Sequence, residues 1–402
     1  MYLKNLKLTN YRNYENLDLD FDRNLNLIIG DNGKGKTNLL ESIYYISTGK
    51  SHRGAKQEEL VRLGNDSAVM RALIEGNNEP EEENSSQHLI ELQLSKTDNI
   101  KIRIDRAPYR RKSDFVSILP SVIFSPDDLM VIKGSPSVRR EFIDGVIEKI
   151  DRDYQALGIK YLKILNQRNG LIKSIANSNL ICATGDNSTL DIWNESLVRY
   201  GSEIVFKRMQ LISEIREMFK GYMNEFFNSI HAGIFYIPSW DREINDYAPD
   251  NNDTEQISGH SSSELPAMED VMLKFSENLR KNFQKEINYK TTITGPHRDN
   301  LSILFNNLDI KSFGSQGQQR IASVCLRLCE LEILRKKLKK NPVLLLDDVL
   351  SELDRQREKR LLKIINKKFQ IFITAANPDV VNYLDTGQMN RFIIENGNAH
   401  HI

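Results

Sequence analysis

The chain has 402 residues and equal numbers of basic and acidic side chains, 55 of each, so its formal net charge is zero at pH 7. This length allows two domains or one domain with a large insertion, and the balanced charge means that any basic surface for nucleic acid must be local. No apolar run approaches the ~20 residues that span a bilayer, and Lys4, Lys7 and Arg12 interrupt the N-terminus, so we expect a cytoplasmic protein without membrane or secretory segments.

The N-terminal part of the chain predicts a layer of short antiparallel strands, because apolar and polar residues alternate there. These strands are predicted at residues 1–9, 14–21, 68–74, 89–94 and 100–104. A different kind of strand, continuously apolar and therefore buried, is predicted at 26–29, and a helix is predicted at 38–45.

The turn between that buried strand and the helix, residues 30–37, fits the phosphate-binding pattern GxxxxGK[ST]. Its glycines let backbone N–H groups point inward, and the helix N-terminus favours the same anion. Lys36 is expected to reach the β- and γ-phosphates, and the Thr37 hydroxyl is expected to ligate Mg²⁺. The alternative is a chance glycine-rich turn. The nucleotide-binding residues predicted from this turn are Gly30, Asp31, Asn32, Gly33, Lys34, Gly35, Lys36, Thr37 and Asn38.

Beyond residue 137 the apolar period changes to alternating steps of three and four, which is typical of a helix in a coiled coil. The first stripe comprises Ile143, Ile147, Ile150, Tyr154, Leu157, Tyr161 and Ile164. A second stripe begins at Trp193 and continues to Tyr222, after a polar segment at 166–189. Two antiparallel helices joined at a polar tip would form an arm, and the alternative is two helices of an ordinary bundle. Residues 246–265 are predicted as a flexible insertion.

Near the C-terminus, an apolar strand at 343–346 delivers Asp347 and Asp348, which is what a magnesium–nucleotide site requires opposite the loop. Taken alone, an acidic pair there is also typical of a solvated strand end. A second anion-binding surface precedes it at a helix start, formed by Ser315, Gln316, Gly317 and Gln318. Since one site does not need two such surfaces, we expect one molecule's loop and another molecule's turn to hold the same nucleotide.

In order and spacing these segments resemble the ATP-binding-cassette superfamily, with residues 30–37 as Walker A, 315–318 as signature, 344–348 as Walker B and 351–354 as D-loop. Within it the chain resembles the RecF family of bacterial recombination mediators, which is related to the SMC proteins. Further resemblance lies in the segments at 1–14, 50–53, 124–129, 133–140 and 295–299.

The resemblance implies an α/β fold, an ABC-type P-loop ATPase head built from both chain ends with an inserted, mainly α-helical arm. The expected domains are 1–125 and 291–402 for the head and 126–290 for the arm. ATP and Mg²⁺ are the implied cofactors, with Thr37 and Asp347 at the metal and with Arg12 and Asn13 among the nucleotide-binding residues. The implied catalytic residues are Lys36, Asp347, Asp348 and Ser315.

The function implied is that of an ATP-dependent DNA-binding protein of replication and recombinational repair. ATP would close a homodimer on duplex or gapped DNA, and weak, DNA-stimulated hydrolysis would release it. RecO- and RecR-type mediator proteins are the implied partners. Two alternatives belong to other classes: an ATPase subunit of a transporter, and an SMC-like scaffold that binds nucleotide without hydrolysing it.

The chain also departs from the usual cassette pattern. Asp348 stands where most cassette ATPases carry glutamate, and this shorter side chain predicts slow turnover. The strand that ends at Thr374 is followed by no switch histidine, so what senses the γ-phosphate is left open. In place of a Q-loop glutamine, the turn at 124–128 is expected to occupy that region.

A cluster of basic residues is predicted on a hairpin after residue 100, where alternate side chains share one face and several could follow a phosphate backbone. It comprises Lys101, Arg103, Arg106, Arg110, Arg111 and Lys112. An ordinary solvated hairpin is the alternative. Arg139 and Arg140, at the start of the arm, either face DNA or pair with Glu141 and Asp144. The chain contains no zinc finger, helix-turn-helix or aromatic stacking motif that would recognise a base sequence, so DNA contacts are expected to be chiefly to phosphate.

Overall fold

The computed structural model describes residues 1–76, 87–109, 118–178, 188–228, 230–240, 265–365, 369–376, 389–395 and 397–401. These residues form two compact units. The first contains Met1–Asp128 and Leu326–Ile402, and the second contains Leu129–Cys325. The predicted domain boundaries after residues 125 and 290 stay predictions, while the contacts group residues up to Cys325 with the second unit.

Strands and helices are numbered in chain order. The strands are β1 (Tyr2–Tyr11), β2 (Tyr14–Asp20), β3 (Leu25–Ile29), β4 (Ser67–Glu75), β5 (Gln87–Ser95), β6 (Lys101–Ile104), β7 (Ala107–Tyr109), β8 (Ser121–Phe124), β9 (Ala232–Ile237), β10 (Asn300–Phe305), β11 (Leu308–Asp309), β12 (Val343–Leu346), β13 (Ile371–Ala375), β14 (Met389–Glu395) and β15 (Asn398–His401). The helices are α1 (Lys36–Thr48), α2 (Gln57–Leu60), α3 (Leu129–Lys133), α4 (Pro136–Ile150), α5 (Tyr154–Ser178), α6 (Ser188–Phe227), α7 (Met268–Tyr289), α8 (Ile310–Phe313), α9 (Gln316–Leu338) and α10 (Arg355–Ile365). Three short 3₁₀ turns lie at Pro126–Asp128, Pro296–Arg298 and Leu350–Glu352.

The central sheet of the first unit is mostly parallel, in the strand order β15-β14-β3-β13-β12-β8. Only β15 in this described sheet pairs antiparallel with its neighbour. The central strands β12 and β13 are buried along their whole length and nearly continuously apolar, because both faces of the sheet are covered there. The carboxyl ends of β3, β13 and β12 therefore lie side by side, which is where ligands bind in open α/β sheets.

The predicted antiparallel layer is confirmed. Its strands follow the order β2-β1-β4-β5-β6-β7, and the neighbouring strands pair antiparallel. Alternation along β6 is typical of this sheet: Ile102 and Ile104 are buried, whereas Lys101 and Arg103 are exposed. The buried face shares one apolar core with α1 and the parallel sheet. The head fold is thus assembled from both ends of the chain.

The second unit is mainly helical. The long helices α5 and α6 pack on each other, and α7, a helix that the predicted two-helix arm did not include, packs against both. The first heptad stripe is divided between α4 and α5 by residues 151–153, where the Asp151 carboxylate accepts the Asp153 N–H at 3.0 Å. A small antiparallel sheet in the order β11-β10-β9, which the sequence did not predict, completes this unit in its described part.

None of the helices in the described ranges combines the length and the apolar character that crossing a bilayer requires.

Candidate nucleotide site

The predicted phosphate-binding loop lies between β3 and α1, which confirms its strand–turn–helix context. Gly33 and Gly35 have φ of 79° and 120°, in the left-handed range that glycine adopts without strain. Gly35 also has no room for a side chain, since a Cβ there would overlap the Asn13 amide and lie 3.0 Å from the Tyr14 hydroxyl. The glycines are therefore required by the path of the backbone.

Lys36 is turned back into its own loop. Its Nζ donates to the carbonyl oxygens of Gly30 and Asp31, at 2.6 and 3.1 Å. The Asn32 Oδ1 lies 3.4 Å away, and the lysine is only 4% exposed. A buried ammonium whose partners are neutral oxygens fits an incoming anion, because phosphate oxygens offer it stronger, charge-assisted hydrogen bonds.

Thr37 and Asp347 bring oxygen ligands together at the start of α1. The Thr37 hydroxyl donates to Asp347 Oδ1 at 3.0 Å, and Asp347 is 5% exposed. Burial raises the pKa of Asp347, although hydrogen bonds from Thr37 and Thr374 oppose the rise. A hydroxyl and a buried carboxylate fit Mg²⁺, which binds few protein oxygens and takes its other ligands from phosphates and water. Accordingly, no group of three or more His, Cys, Asp or Glu among the described residues is placed to hold a metal by itself.

Asp348 is held beside Asp347 in an unusual backbone conformation, with φ of 51°. Its N–H donates to Thr374 Oγ1 at 2.9 Å, and its carbonyl accepts the Ser351 hydroxyl at 2.7 Å. Thr374 lies on β13, between the strand before the loop and the strand before the acidic pair. From the sequence, Thr374 was predicted only as the end of a strand that no switch histidine follows.

The side chains of Asn13 and Tyr14 hold the phosphate-binding loop through its backbone carbonyl groups. The Asn13 amide donates to the Lys34 carbonyl at 3.0 Å, and its Oδ1 accepts from the Asn38 amide at 2.8 Å. The Tyr14 hydroxyl donates to the Gly35 carbonyl at 2.8 Å. Asn13 and Asn38, both predicted to bind nucleotide, are thus brought together at the loop, and their nucleotide contacts stay a prediction.

Arg12 forms a bidentate ion pair with Glu41, a residue that the sequence analysis missed. Its Nε and Nη2 donate to the Glu41 carboxylate at 2.9 and 3.0 Å, and its Nη1 donates to the Glu59 carbonyl at 3.0 Å. The Ser51 hydroxyl donates to the same carboxylate at 2.5 Å. Burial alone would raise the pKa of Glu41, but these hydrogen bonds outweigh it and leave the pKa lowered. A guanidinium has five N–H donors, and three of them are used in the described contacts of Arg12, whose binding to nucleotide stays a prediction.

The turn at 124–128 is joined to the acidic strand end. The Asp347 N–H donates to the Phe124 carbonyl at 2.9 Å. Asp128 closes the turn by accepting the Ser125 N–H at 2.9 Å, and it is clamped by Arg327 Nε and Nη2 at 3.0 and 2.7 Å. Burial raises the pKa of Asp128 despite this guanidinium. The sequence predicted the turn but not its arginine.

The serine–glutamine turn, 315–318, is a reciprocal cap at the start of α9 in the second unit. Ser315 Oγ accepts the Gln318 N–H at 3.3 Å, and Gln318 Oε1 accepts the Ser315 N–H at 2.7 Å, which is the capping-box arrangement. Gln319 anchors the turn by donating to the Ile310 and Lys311 carbonyls at 2.9 and 3.0 Å. Ser315 and Gln316 are not buried, so a fixed helix N-terminus faces solvent.

The predicted basic hairpin is described only in part. Lys101, Arg103 and Arg106 are exposed on β6 and the following turn, whereas residues 110–112 lie outside the described residues. Neither arginine of the pair at 139–140 makes the predicted bonds to Glu141 or Asp144: the first donates to Asn300 at 2.9 Å and the second to the Asp299 carbonyl at 2.7 Å.

Comparison with known proteins gives one consistent result. The family model described as "RecF/RecN/SMC N terminal domain" matches residues 2–396. The "DNA replication and repair protein RecF" of Natranaerobius thermophilus is 37% identical over 99% of this chain and 98% of its own length. The protein of the same name from Bacillus velezensis is 33% identical over 99% of both chains.

Solved structures agree with these sequence relatives. A structure of "the recombination mediator protein RecF-ATP in RecFOR pathway" is 32% identical, with a TM-score of 0.82 over 100% of this chain and 97% of the other. An Smc head domain from Pyrococcus furiosus, bound to the C-terminal domain of ScpA, is 16% identical over 100% of this chain and 96% of the other. Its TM-score of 0.54 is a likeness of fold alone.

Proposed function

This chain belongs to the RecF family, and from that premise we propose that it is an ATP-switched DNA-binding protein of replication and recombinational repair. ATP closes a head-to-head homodimer on duplex or gapped DNA, and slow hydrolysis releases it. The observation that carries the proposal is the Thr37–Asp347 hydrogen bond, which joins the loop and the acidic strand end into one site.

ATP is held by the loop residues 30–38 through backbone N–H groups and the Lys36 ammonium. Thr37 and Asp347 hold Mg²⁺, which when bound neutralises phosphate charge. The support is that Lys36 is buried among neutral carbonyls and that the buried Asp347 carboxylate accepts only from the hydroxyls of Thr37 and Thr374 in the described contacts. Arg12 and Asn13 complete the site from the turn between β1 and β2.

Asp348 is the base that orients the attacking water. Its carbonyl and N–H are both fixed, by Ser351 and Thr374, so the carboxylate is presented from a constrained backbone. An aspartate reaches one carbon less far than the glutamate usual at this place. Hydrolysis is therefore slow, which suits a switch that must persist on DNA before release.

The dimer is closed by Ser315, acting on the nucleotide held by the partner's loop. A hydroxyl that accepts the Gln318 N–H still has its own hydrogen to donate, and the helix N-terminus adds partial positive charge. Because Gln318 and Gln319 fix this turn from both sides, little ordering is required when the anion arrives. The turn is thus preorganised for a γ-phosphate.

DNA is bound through phosphates, without sequence readout. Lys101 and Arg103 project from the exposed face of β6, where alternate residues share one side.

RecO- and RecR-type proteins are the protein partners of this chain, and the support is that a relative of known structure is described as a mediator in the RecFOR pathway. We infer a bacterial cytoplasmic location on the nucleoid, with the domain division 1–125, 126–290 and 291–402.

The test compares ATP hydrolysis by the purified protein alone, with duplex DNA and with lipid vesicles, while light scattering follows the mass with ATP and ADP. The proposal expects DNA to raise the rate and ATP, but not ADP, to double the mass. Stimulation by vesicles instead of DNA would support a transport subunit. Bound ATP that is never hydrolysed would support the scaffold alternative.

A further inference from the structure

A single buried threonine hydroxyl contacts both residues of the acidic pair. Thr374 is 2% exposed, and its Oγ1 lies 3.0 Å from Asp347 Oδ1 and 3.4 Å from Asp348 Oδ1. The same oxygen accepts the Asp348 N–H at 2.9 Å. The Leu346 carbonyl is a further acceptor at 3.3 Å. One side chain therefore touches the proposed metal ligand and both the backbone and the carboxylate of the proposed base.

The hydroxyl has one hydrogen and cannot donate to three acceptors at once. Asp347 Oδ1 is the nearest of them, and it also accepts from Thr37 at 3.0 Å. When Thr37 turns to serve as a metal ligand, Thr374 remains as the hydroxyl donor that fixes the orientation of Asp347. Its lone pair meanwhile keeps the Asp348 N–H bonded, so both carboxylates stay aligned.

The backbone of Asp348 makes this support necessary. Its φ of 51° is a left-handed conformation, in which the Cβ of an L-residue is crowded against the following carbonyl oxygen. Such conformations persist where surrounding bonds determine them. The described bonds that do so here are those from the Asp348 N–H to Thr374 and from Ser351 to the Asp348 carbonyl.

We propose that Thr374 is the positioning residue of the acidic pair, holding Asp347 for the metal and Asp348 for water in a chain that lacks a switch histidine. The proposal rests on the proposed nucleotide function. A purely structural threonine would satisfy its hydroxyl on the Leu346 carbonyl, but that acceptor is farther away than the Asp347 carboxylate.

The test uses Thr374→Val, which keeps the shape and removes the hydroxyl, and Thr374→Ser, which keeps the hydroxyl. Binding of a fluorescent ATP analogue is measured in EDTA and then as Mg²⁺ is added, and ATP turnover is measured at saturating nucleotide. Thr48 provides the matched control, because its hydroxyl donates to the Tyr44 carbonyl at 2.8 Å within α1 of the same unit. Thr48→Val reports the cost of losing a hydroxyl elsewhere.

We expect Thr374→Val to bind the analogue normally in EDTA. The Mg²⁺ concentration at the midpoint of the change in analogue binding should rise roughly tenfold to a hundredfold, and kcat should fall by a similar factor. Thr374→Ser should restore most of both, and Thr48→Val should match the parent. An unchanged Mg²⁺ midpoint in Thr374→Val overturns the inference. If that variant loses cooperative melting, Thr374→Cys, a weak donor, replaces it, and a parental midpoint there has the same meaning.

The two proposals fail differently. If the parent protein never hydrolyses ATP, the proposed function is contradicted. The Mg²⁺ midpoint of analogue binding can still be compared between the parent and Thr374→Val, so the inference about Thr374 is tested separately. A parent that hydrolyses ATP together with a Thr374→Val variant of equal kcat and equal midpoint contradicts the Thr374 inference alone.

Discussion

Thr37 and Asp347 are joined by a 3.0 Å hydrogen bond although they stand 310 positions apart in the chain. Thr37 lies in the first turn of α1, near the N-terminus of the chain, and Asp347 directly follows β12, near its C-terminus. Both belong to the first unit, where β13 separates their strands. Neither end of the chain carries both residues, so the proposed magnesium–nucleotide site requires the two ends to fold together.

Lys36→Met should weaken ATP binding. The ammonium is the cation that the loop offers to phosphate, and a hydrogen bond to a charged group contributes about 1.5–3 kcal/mol, or roughly tenfold to a hundredfold in affinity. Fluorescence titration with an ATP analogue measures the change. Lys56→Met, at a lysine whose side chain is 78% exposed, is the control. Equal affinity in the two variants would remove Lys36 from the site.

Asp348→Asn should separate binding from hydrolysis. The metal ligand Asp347 is untouched, so ATP should bind and the dimer should persist, while loss of a base lowers turnover by roughly 10²–10⁴-fold. Single-turnover hydrolysis and light scattering measure the two properties. Turnover at the parental rate would exclude Asp348 as the base.

Acid should destabilise the first unit through His52. Burial lowers the pKa of His52 from 6.5 to about 4. Between these values the unfolded chain binds a proton that the folded chain does not, so the free energy of unfolding falls as the pH drops, by about 2 kcal/mol at pH 5 from this residue.

His52→Phe should therefore lose less stability than the parent between pH 7 and pH 5. The ring is kept because His52 packs edge-on against Tyr44, with the centroids 5.8 Å apart. Urea unfolding at the two pH values measures the difference, and His400→Asn, at an exposed histidine, is the control. An equal loss in His52→Phe and the parent would show that His52 does not cause the acid sensitivity.

Replacing Lys101 and Arg103 by Gln should reduce the salt dependence of DNA binding. The slope of log K against log salt should fall by about 0.9 for each side chain that contacts a phosphate. The exposed Lys336 and Lys339, near the end of α9, provide the control pair. If replacing Lys101 and Arg103 leaves the slope unchanged, these residues belong to an ordinary solvated hairpin. The same salt titration with Arg110, Arg111 and Lys112 replaced tests the rest of the predicted cluster.

The loop and the acidic strand end were predictable because their chemistry is encoded locally. Glycine spacing, one lysine and one threonine determine the turn before α1, and four apolar residues determine β12. The antiparallel layer was predictable for a similar reason, since period-two alternation along a strand follows from burial of one face.

The supporting contacts were not predictable, because they join residues that no local pattern relates. Glu41 is one polar position on a helix, and only the fold brings it to Arg12, 29 positions away. Thr374 lies in an apolar strand whose neighbours become known only with the strand order. The break between α4 and α5 was missed because the apolar stripe continues across the Asp151 turn.

The most direct test of the two-copy site mixes Ser315→Arg with Lys36→Met and measures DNA-stimulated ATP hydrolysis, with each variant alone as its own control. Each alone should be inactive, because every composite site then lacks either the serine or the lysine. In an equal mixture half of the dimers pair the two variants and regain one site each, so about a quarter of the parental activity should return. Full activity of Ser315→Arg alone would contradict the account, because no serine would then be needed at the partner's nucleotide.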